Sequence, residues 1–119
     1  GYLTFGRSET DYTPSDAEFF ELPMIAALWD DLTPASGITT ITVDETSTYT
    51  AVTYDQHPFI SESFYNDFQI IIYADGRITM AYVDIPVGGW DSGDDTYVGL
   101  SSGLGVTPYP TTVDFYSAP

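Results

Sequence analysis

The sequence predicts an all-β fold, an antiparallel β-sandwich of about eight short strands with long acidic loops. Three observations support this fold class. Aromatic residues make up 16% of the chain, and β-branched residues are frequent beside them. Apolar and polar residues alternate in several short runs, and glycine, proline or aspartate separates these runs. A length of 119 residues corresponds to a single domain, 1–119.

The N-terminal part predicts two strands separated by a loop. Gly1–Gly6 alternates between apolar and small or polar residues, which is typical of a short strand. Residues 7–21 are polar and acidic without a period, so we expect a long surface loop and no helix. The apolar run Leu22–Leu32 is too short for periodicity to separate helix from strand, and Pro23 suits either. We favour a buried extended strand that ends near Trp29.

The middle of the chain predicts two hairpins. Ile38–Val43 and Thr48–Tyr54 form a half-exposed pair rich in threonine, and Gln56–Asn66 follows as a loop. The second hairpin is the strongest signal in the chain, because Asp75-Gly76 lies between two alternating apolar runs. We expect one face of each strand to meet across it: Phe68, Ile70 and Ile72 against Ile78, Met80 and Tyr82.

The C-terminal part predicts loops and two further strands. Pro86–Asp95 is rich in glycine and aspartate and indicates a loop. Thr96–Ser101 predicts a strand, Gly103–Pro110 a turn-rich return, and Thr111–Tyr116 a last strand.

The charge balance excludes several partners. Eighteen acidic residues and two basic ones give a net charge of −16, which repels nucleic acid and anionic membranes. No run approaches the ~18 apolar residues that a membrane span needs, so we expect no membrane insertion. The acidity has three competing explanations: solubility, adaptation to salt, or binding of divalent cations. The absence of cysteine excludes disulfides, cysteine-ligated metals and thiol nucleophiles.

Carboxylates provide the candidate metal ligands. Asp91, Asp94 and Asp95 lie in a short glycine-containing loop that has part of a calcium-loop pattern, with a flexible acidic turn as the alternative. Asp30 and Asp31 follow the buried strand and are either a loop cap or further calcium ligands. As neighbours on a strand their carboxylates diverge, which disfavours a glycosidase pair. Asp11 and Asp16 are weaker candidates for calcium.

The remaining candidates are one histidine and a set of aromatic residues. His57 is the only histidine, and no Gly-x-Ser-x-Gly motif accompanies it, so we expect a surface or turn histidine. Aromatic residues in predicted loops either stack on sugar rings or pin the loops to the core. The adjacent pairs Phe19-Phe20 and Phe64-Tyr65 are of most interest. The other loop aromatics are Tyr12, Phe59, Trp90 and Tyr109.

Four motifs in order resemble the nidogen-type extracellular (NIDO-like) domains and their secreted bacterial and archaeal relatives. They are Gly1–Gly6, Ile25–Leu32, Phe68–Tyr82 and Val98–Ser101. The resemblance implies an extracellular, all-β, non-catalytic module of adhesive, matrix or large secreted proteins. Relatives usually have strands before the first motif, so the N-terminal strands are missing here, supplied by another chain, or dispensable. An open sheet edge of this kind can accept a strand from a neighbour.

The sequence therefore predicts a secreted or cell-surface structural or adhesion module that is not an enzyme. We expect it to act through a protein partner or through self-association as a homo-oligomer, as in a surface matrix or filament. No cofactor is expected apart from calcium. The alternative is a calcium-assisted carbohydrate-binding module with a glycan ligand, and a hydrolase ranks third. A start at Gly1 without a signal peptide indicates a processed or excised piece of a longer precursor.

Overall fold

The structure, a computed structural model, describes residues 1–34, 37–60, 63–85, 96–103 and 105. Two antiparallel sheets, ordered β1-β2-β7 and β3-β4-β5-β6, pack as a sandwich and confirm the predicted fold class. The elements are β1 (Tyr2–Thr4), α1 (Asp16–Glu21), β2 (Pro23–Trp29), β3 (Thr40–Glu45), β4 (Tyr49–Pro58), β5 (Tyr65–Tyr73), β6 (Ile78–Asp84) and β7 (Tyr97–Ser102). The predicted loop Pro86–Asp95 and strand Thr111–Tyr116 lie outside the described residues.

The extended buried strand predicted after residue 22 is confirmed as β2, which is covered on both faces. One face packs between the sheets with the main core, and the other packs under helix α1. Burial on two sides explains why β2 is continuously apolar and does not alternate. The main core comprises Ile25, Ala27, Leu28, Val52, Tyr54, Phe59, Phe68 and Ile70. The second cluster comprises Phe19, Met24, Ala26 and Trp29.

Helix α1 corrects the prediction of an unstructured loop over residues 7–21. Ser15 caps the helix: its hydroxyl oxygen accepts from the Glu18 amide at 3.3 Å and donates to Glu18 Oε2 at 2.6 Å. Phe19 is buried and stacks on Trp29 with ring centroids 6.3 Å apart. Ser-x-x-Glu before two aromatic residues is a capping-box signature, so the sequence did contain the signal for this helix.

The β5–β6 hairpin confirms the predicted register. Phe68 lies opposite Tyr82, Ile70 opposite Met80, and Ile72 opposite Ile78. At the turn, Gly76 adopts a φ of 89°, and Asp75 does not have a positive φ. The Tyr73 amide donates to the Arg77 carbonyl at 2.9 Å, which closes a three-residue loop over 74–76 with glycine in the left-handed position.

Strand β4 is longer than predicted, and the loop expected over Gln56–Asn66 is correspondingly shorter. The register of β4 against β5 shifts between Tyr54 and His57, and Gln56 takes a φ of 55°. This β-bulge interrupts the alternation of side chains, so the strand continues past the point where its pattern ends. In the described part of the chain, no helix is both long and apolar enough to span a bilayer.

Candidate functional site

Of the main predicted calcium ligands, Asp30 and Asp31 lie among the described residues, and the others do not. Asp91, Asp94 and Asp95 lie outside the described residues, so the loop remains a prediction. Asp30 is buried; its Oδ1 accepts from the Asp31 amide at 2.7 Å, and its Oδ2 accepts from the Thr96 hydroxyl. These contacts tie the end of β2 to the residue that precedes β7. Among residues that the structure describes, no group of three or more histidine or acidic side chains could hold a metal ion.

The weaker acidic candidates are Asp16, the first residue of α1, and Asp11, which precedes the helix. The Tyr97 hydroxyl donates to Asp16 Oδ1 at 2.7 Å. The Thr13 amide donates to Asp11 Oδ1 at 2.8 Å and lowers the pKa of the Asp11 carboxyl. The Asp11 carbonyl accepts from Trp29 Nε1 at 3.3 Å, so the segment is fastened to the second core cluster. The Asp16 carboxylate thus joins α1 to β7, whereas the Asp11 carboxylate bonds within its own segment.

His57 is buried within β4, which corrects the expectation of a surface or turn histidine. Its Nε2–H donates to the Thr40 carbonyl at 3.2 Å, and its ring meets the Tyr54 ring edge-on at 5.7 Å. Burial lowers the pKa of His57 below its ordinary value of 6.5, although the hydrogen bond to Thr40 acts in the opposite direction. The side chain therefore joins β4 to β3 beside the bulge.

The position of β1 decides which part of the larger sheet is covered. The Tyr54 hydroxyl donates to the Tyr2 carbonyl at 3.0 Å, and burial raises the pKa of Tyr54 to about 12, so the donor proton is retained. A Cβ added to Gly1 would fall 2.6 Å from the Phe68 ring and 2.7 Å from the Tyr54 ring. The start of the chain therefore lies directly over β4 and β5. On the other side, the Tyr82 hydroxyl donates to the Ala27 carbonyl of β2 at 2.6 Å.

This placement leaves β3 uncovered by the described residues. Ile41 lies opposite Tyr54 and Val43 opposite Val52, so both side chains belong to the face that forms the core. They are nevertheless 57% and 64% exposed. We call these two side chains the β3 surface. The sequence predicted a half-exposed hairpin but not that the core-side face of β3 is exposed as well, because alternation gives the face of a residue and not what covers that face.

Among the described strands, β3 lies at the edge of its sheet, and its outer side presents backbone groups. The Thr46 amide donates to the Tyr49 carbonyl at 2.9 Å and closes the β3–β4 hairpin. Since hydrogen-bonded pairs alternate along antiparallel strands, the N–H and C=O groups of Ile41, Val43 and Glu45 point away from β4. Ile41 and Val43 thus present both an apolar side chain and backbone groups that pair with no described strand.

An open cavity of about 470 Å³ lies at the far end of the same sheet. Asp67 and Asp84 are directly opposite each other across β5 and β6. The Gln56 amide, at the bulge, donates to Asp67 Oδ1 at 2.6 Å. The cavity, which we call the Asp67 cavity, is lined by Gln56, Ser63, Phe64, Tyr65, Asp67 and Asp84. The pair Phe64-Tyr65 was a sequence candidate; the two carboxylates were not, because only the bulged register brings them together.

The other loop aromatics have mixed positions. Phe59 and Phe19 are buried and pin their segments to the core, whereas Tyr12 is exposed. Trp90 and Tyr109 lie outside the described residues. Exposed aromatic side chains share an open cavity with polar groups at two places. Tyr12 lies beside Glu9, Asp11 and Glu18 in one cavity, and Phe64 and Tyr65 line the Asp67 cavity.

No protein-family model, curated protein or solved structure matches this chain. The resemblance to the nidogen-type domains therefore stays a prediction from the four motifs.

Proposed function

We propose that the protein is a non-catalytic extracellular structural or adhesion module that acts by protein–protein association, and that it associates through the β3 surface. The observation that supports this proposal is that Ile41 and Val43 belong to the core-forming face but are 57% and 64% exposed. Burying an aliphatic side chain of this size contributes roughly 1.5 to 3 kcal/mol when it is fully exposed beforehand. The extracellular location rests on the acidic composition and the motif resemblance.

The charges along β3 are compatible with pairing between two copies. A two-fold axis at Val43 would align the free backbone groups of two antiparallel β3 strands. This register sets Glu45 opposite Ile41 and Asp44 opposite Thr42, so no carboxylate faces another across the new interface. The repulsion that remains comes from the net charge of −16 on each copy, and salt screens that repulsion.

Sedimentation velocity over a range of protein concentrations tests the proposal. In about 0.5 M NaCl, where charge repulsion is screened, we expect a dimer or larger species. The double variant Ile41→Thr, Val43→Thr keeps β-propensity but removes the apolar groups, and we expect it to remain monomeric. Val83→Thr is the matched control, since Val83 is 87% exposed on β6, and we expect it to associate like the original chain.

Two results would overturn the proposal. The original chain could remain a monomer at every concentration and salt level. Alternatively, the double variant could associate as strongly as the original chain, which would place the contact elsewhere.

A further inference from the structure

We propose that the Asp67 cavity binds a cationic side chain, that of lysine or arginine, carried by a partner protein. This inference deepens the proposed function and rests on it in one respect, namely that the cation belongs to another polypeptide. It concerns a different surface from β3 and a different kind of contact, because the β3 surface is apolar and the cavity is acidic.

The first reason is an unfavourable pair of like charges within the sheet. Asp67 and Asp84 are directly opposite each other in the β5–β6 register. Like charges in this position destabilise a sheet, and a bound cation removes the repulsion. The Gln56 amide donates to Asp67 Oδ1 at 2.6 Å, which leaves Oδ2 without a hydrogen bond from the described residues.

The second reason is that the chain has no other cation to place there. Its two basic residues are both arginines. Arg7 is bound to Glu21 at 2.8 Å, and Arg77 is bound to Asp75 at 2.9 Å. A basic side chain that binds the two carboxylates of the cavity therefore comes from another polypeptide. A second copy of this protein would bring only the same two arginines.

The third reason is the aromatic wall, which favours an organic cation over a metal ion. Tyr65 and Asp67 are two positions apart on β5, so they lie on the same face of the sheet. Phe64 precedes them, and the two aromatic residues are 53% and 38% exposed. Aromatic faces attract ammonium and guanidinium groups. The volume of about 470 Å³ also suits a long side chain better than a bare ion.

The fourth reason is that neighbouring hydrogen bonds hold the cavity in shape. Asn66 is fully buried, and its Nδ2 donates to the His57 carbonyl at 2.8 Å. Gln56 keeps a left-handed conformation at the bulge, with a φ of 55°. A non-glycine residue holds such a conformation when its surroundings impose it, and these residues are frequent at functional sites. The carboxylates are thus positioned before any ligand arrives.

NMR titration of the full chain tests the inference. The probe is the tripeptide acetyl-Gly-Lys-Gly-amide, and the matched probe replaces lysine with norleucine, which has a side chain of similar length without the charge. We expect the lysine peptide to shift the amide signals of Gln56, Tyr65, Asp67 and Asp84. The norleucine peptide should leave them in place. Binding should weaken as NaCl is raised, because the attraction is between charges.

Variants locate the contact within the cavity. Asp84→Asn and Asp67→Asn each remove one charge, and asparagine at 67 retains an oxygen for the Gln56 amide. We expect each to weaken lysine-peptide binding by about threefold or more, as for an ion pair near the surface. Glu45→Gln makes the same charge change on β3, where the residue is exposed, and it should leave binding unchanged.

Several results would overturn the inference: equal shifts with the norleucine peptide, no shifts with either peptide, or shifts of these signals only with calcium chloride or maltose. Failure here is distinguishable from failure of the proposed function. Association through β3 is measured by sedimentation velocity and should strengthen as the NaCl concentration rises. Peptide binding should weaken as the NaCl concentration rises. If the chain associates but does not bind the lysine peptide, only the proposal for the Asp67 cavity is overturned.

Discussion

His57 illustrates how one residue can differ from its sequence expectation. It precedes proline in a polar stretch, which indicates a surface turn, yet it is buried and bonded to the Thr40 carbonyl. The apolar core residues of the β5–β6 hairpin were predictable, because alternation alone fixes their face. The burial of His57 depends on the bulge at Gln56 and on the position of β3 beside β4. The residues around His57 in the sequence predict neither feature.

The pKa of His57 gives the first prediction at this scale. Because burial lowers the pKa below 6.5, the unfolded chain takes up a proton at a pH where the folded protein does not. This contribution to stability is therefore present above pH 6.5 and is lost as the pH falls toward the lower folded value. An NMR titration of the single imidazole should give a pKa below 6.5.

Denaturation in urea at several pH values checks the same shift by its effect on stability. His57→Gln keeps a donor for the Thr40 carbonyl but does not titrate, so it is the reference. As the pH falls from about 7.5 to about 5.5, the original chain should lose free energy of unfolding relative to this variant. An imidazole pKa at or above 6.5 would contradict the burial of His57.

At the scale of elements, the sequence predicted the β5–β6 hairpin well but missed helix α1. The β5–β6 hairpin was predicted in register because its turn and its two faces are adjacent in sequence. Helix α1 is only six residues long, and its apolar side chains are too few to show a helical period. Its stability depends on the Ser15 cap and on Phe19 packing against Trp29, so it forms in the context of the second core cluster.

Replacing the cap residue tests the role of helix α1. Ser15→Ala removes the acceptor for the Glu18 amide and the donor to Glu18 Oε2. We expect a loss of about 1 kcal/mol in the free energy of unfolding, measured in urea. Ser8→Ala is the control, since Ser8 is exposed before the helix, and it should change stability by no more than about 0.5 kcal/mol. Equal effects from the two substitutions would show that the cap does not stabilise the protein.

At the scale of the whole molecule, the proposed association depends on how the two sheets overlap. The smaller sheet places β1 over β4 and β5, so the described residues leave β3 without a covering layer. The sequence predicted the two layers but not their offset, because the offset depends on contacts between distant segments such as Tyr54 with Tyr2. The Asp67 cavity likewise depends on a shift in register between strands.

These two surfaces should respond to salt in opposite ways. Contacts at the β3 surface bring two chains of charge −16 together, so screening favours them. Attraction between the Asp67 cavity and a cationic side chain is itself electrostatic, so screening weakens it. If both proposals hold, association through β3 and binding of a basic side chain should be favoured at different ionic strengths.

Amide hydrogen exchange followed over a range of protein concentrations tests the association surface most directly. In about 0.5 M NaCl, the outward amides of Ile41, Val43 and Glu45 should exchange more slowly as concentration rises, because they become hydrogen-bonded or buried. The amide of Val83 on β6 should not change. Exchange rates on β3 that are independent of concentration, or protection confined to other strands, would contradict association through β3.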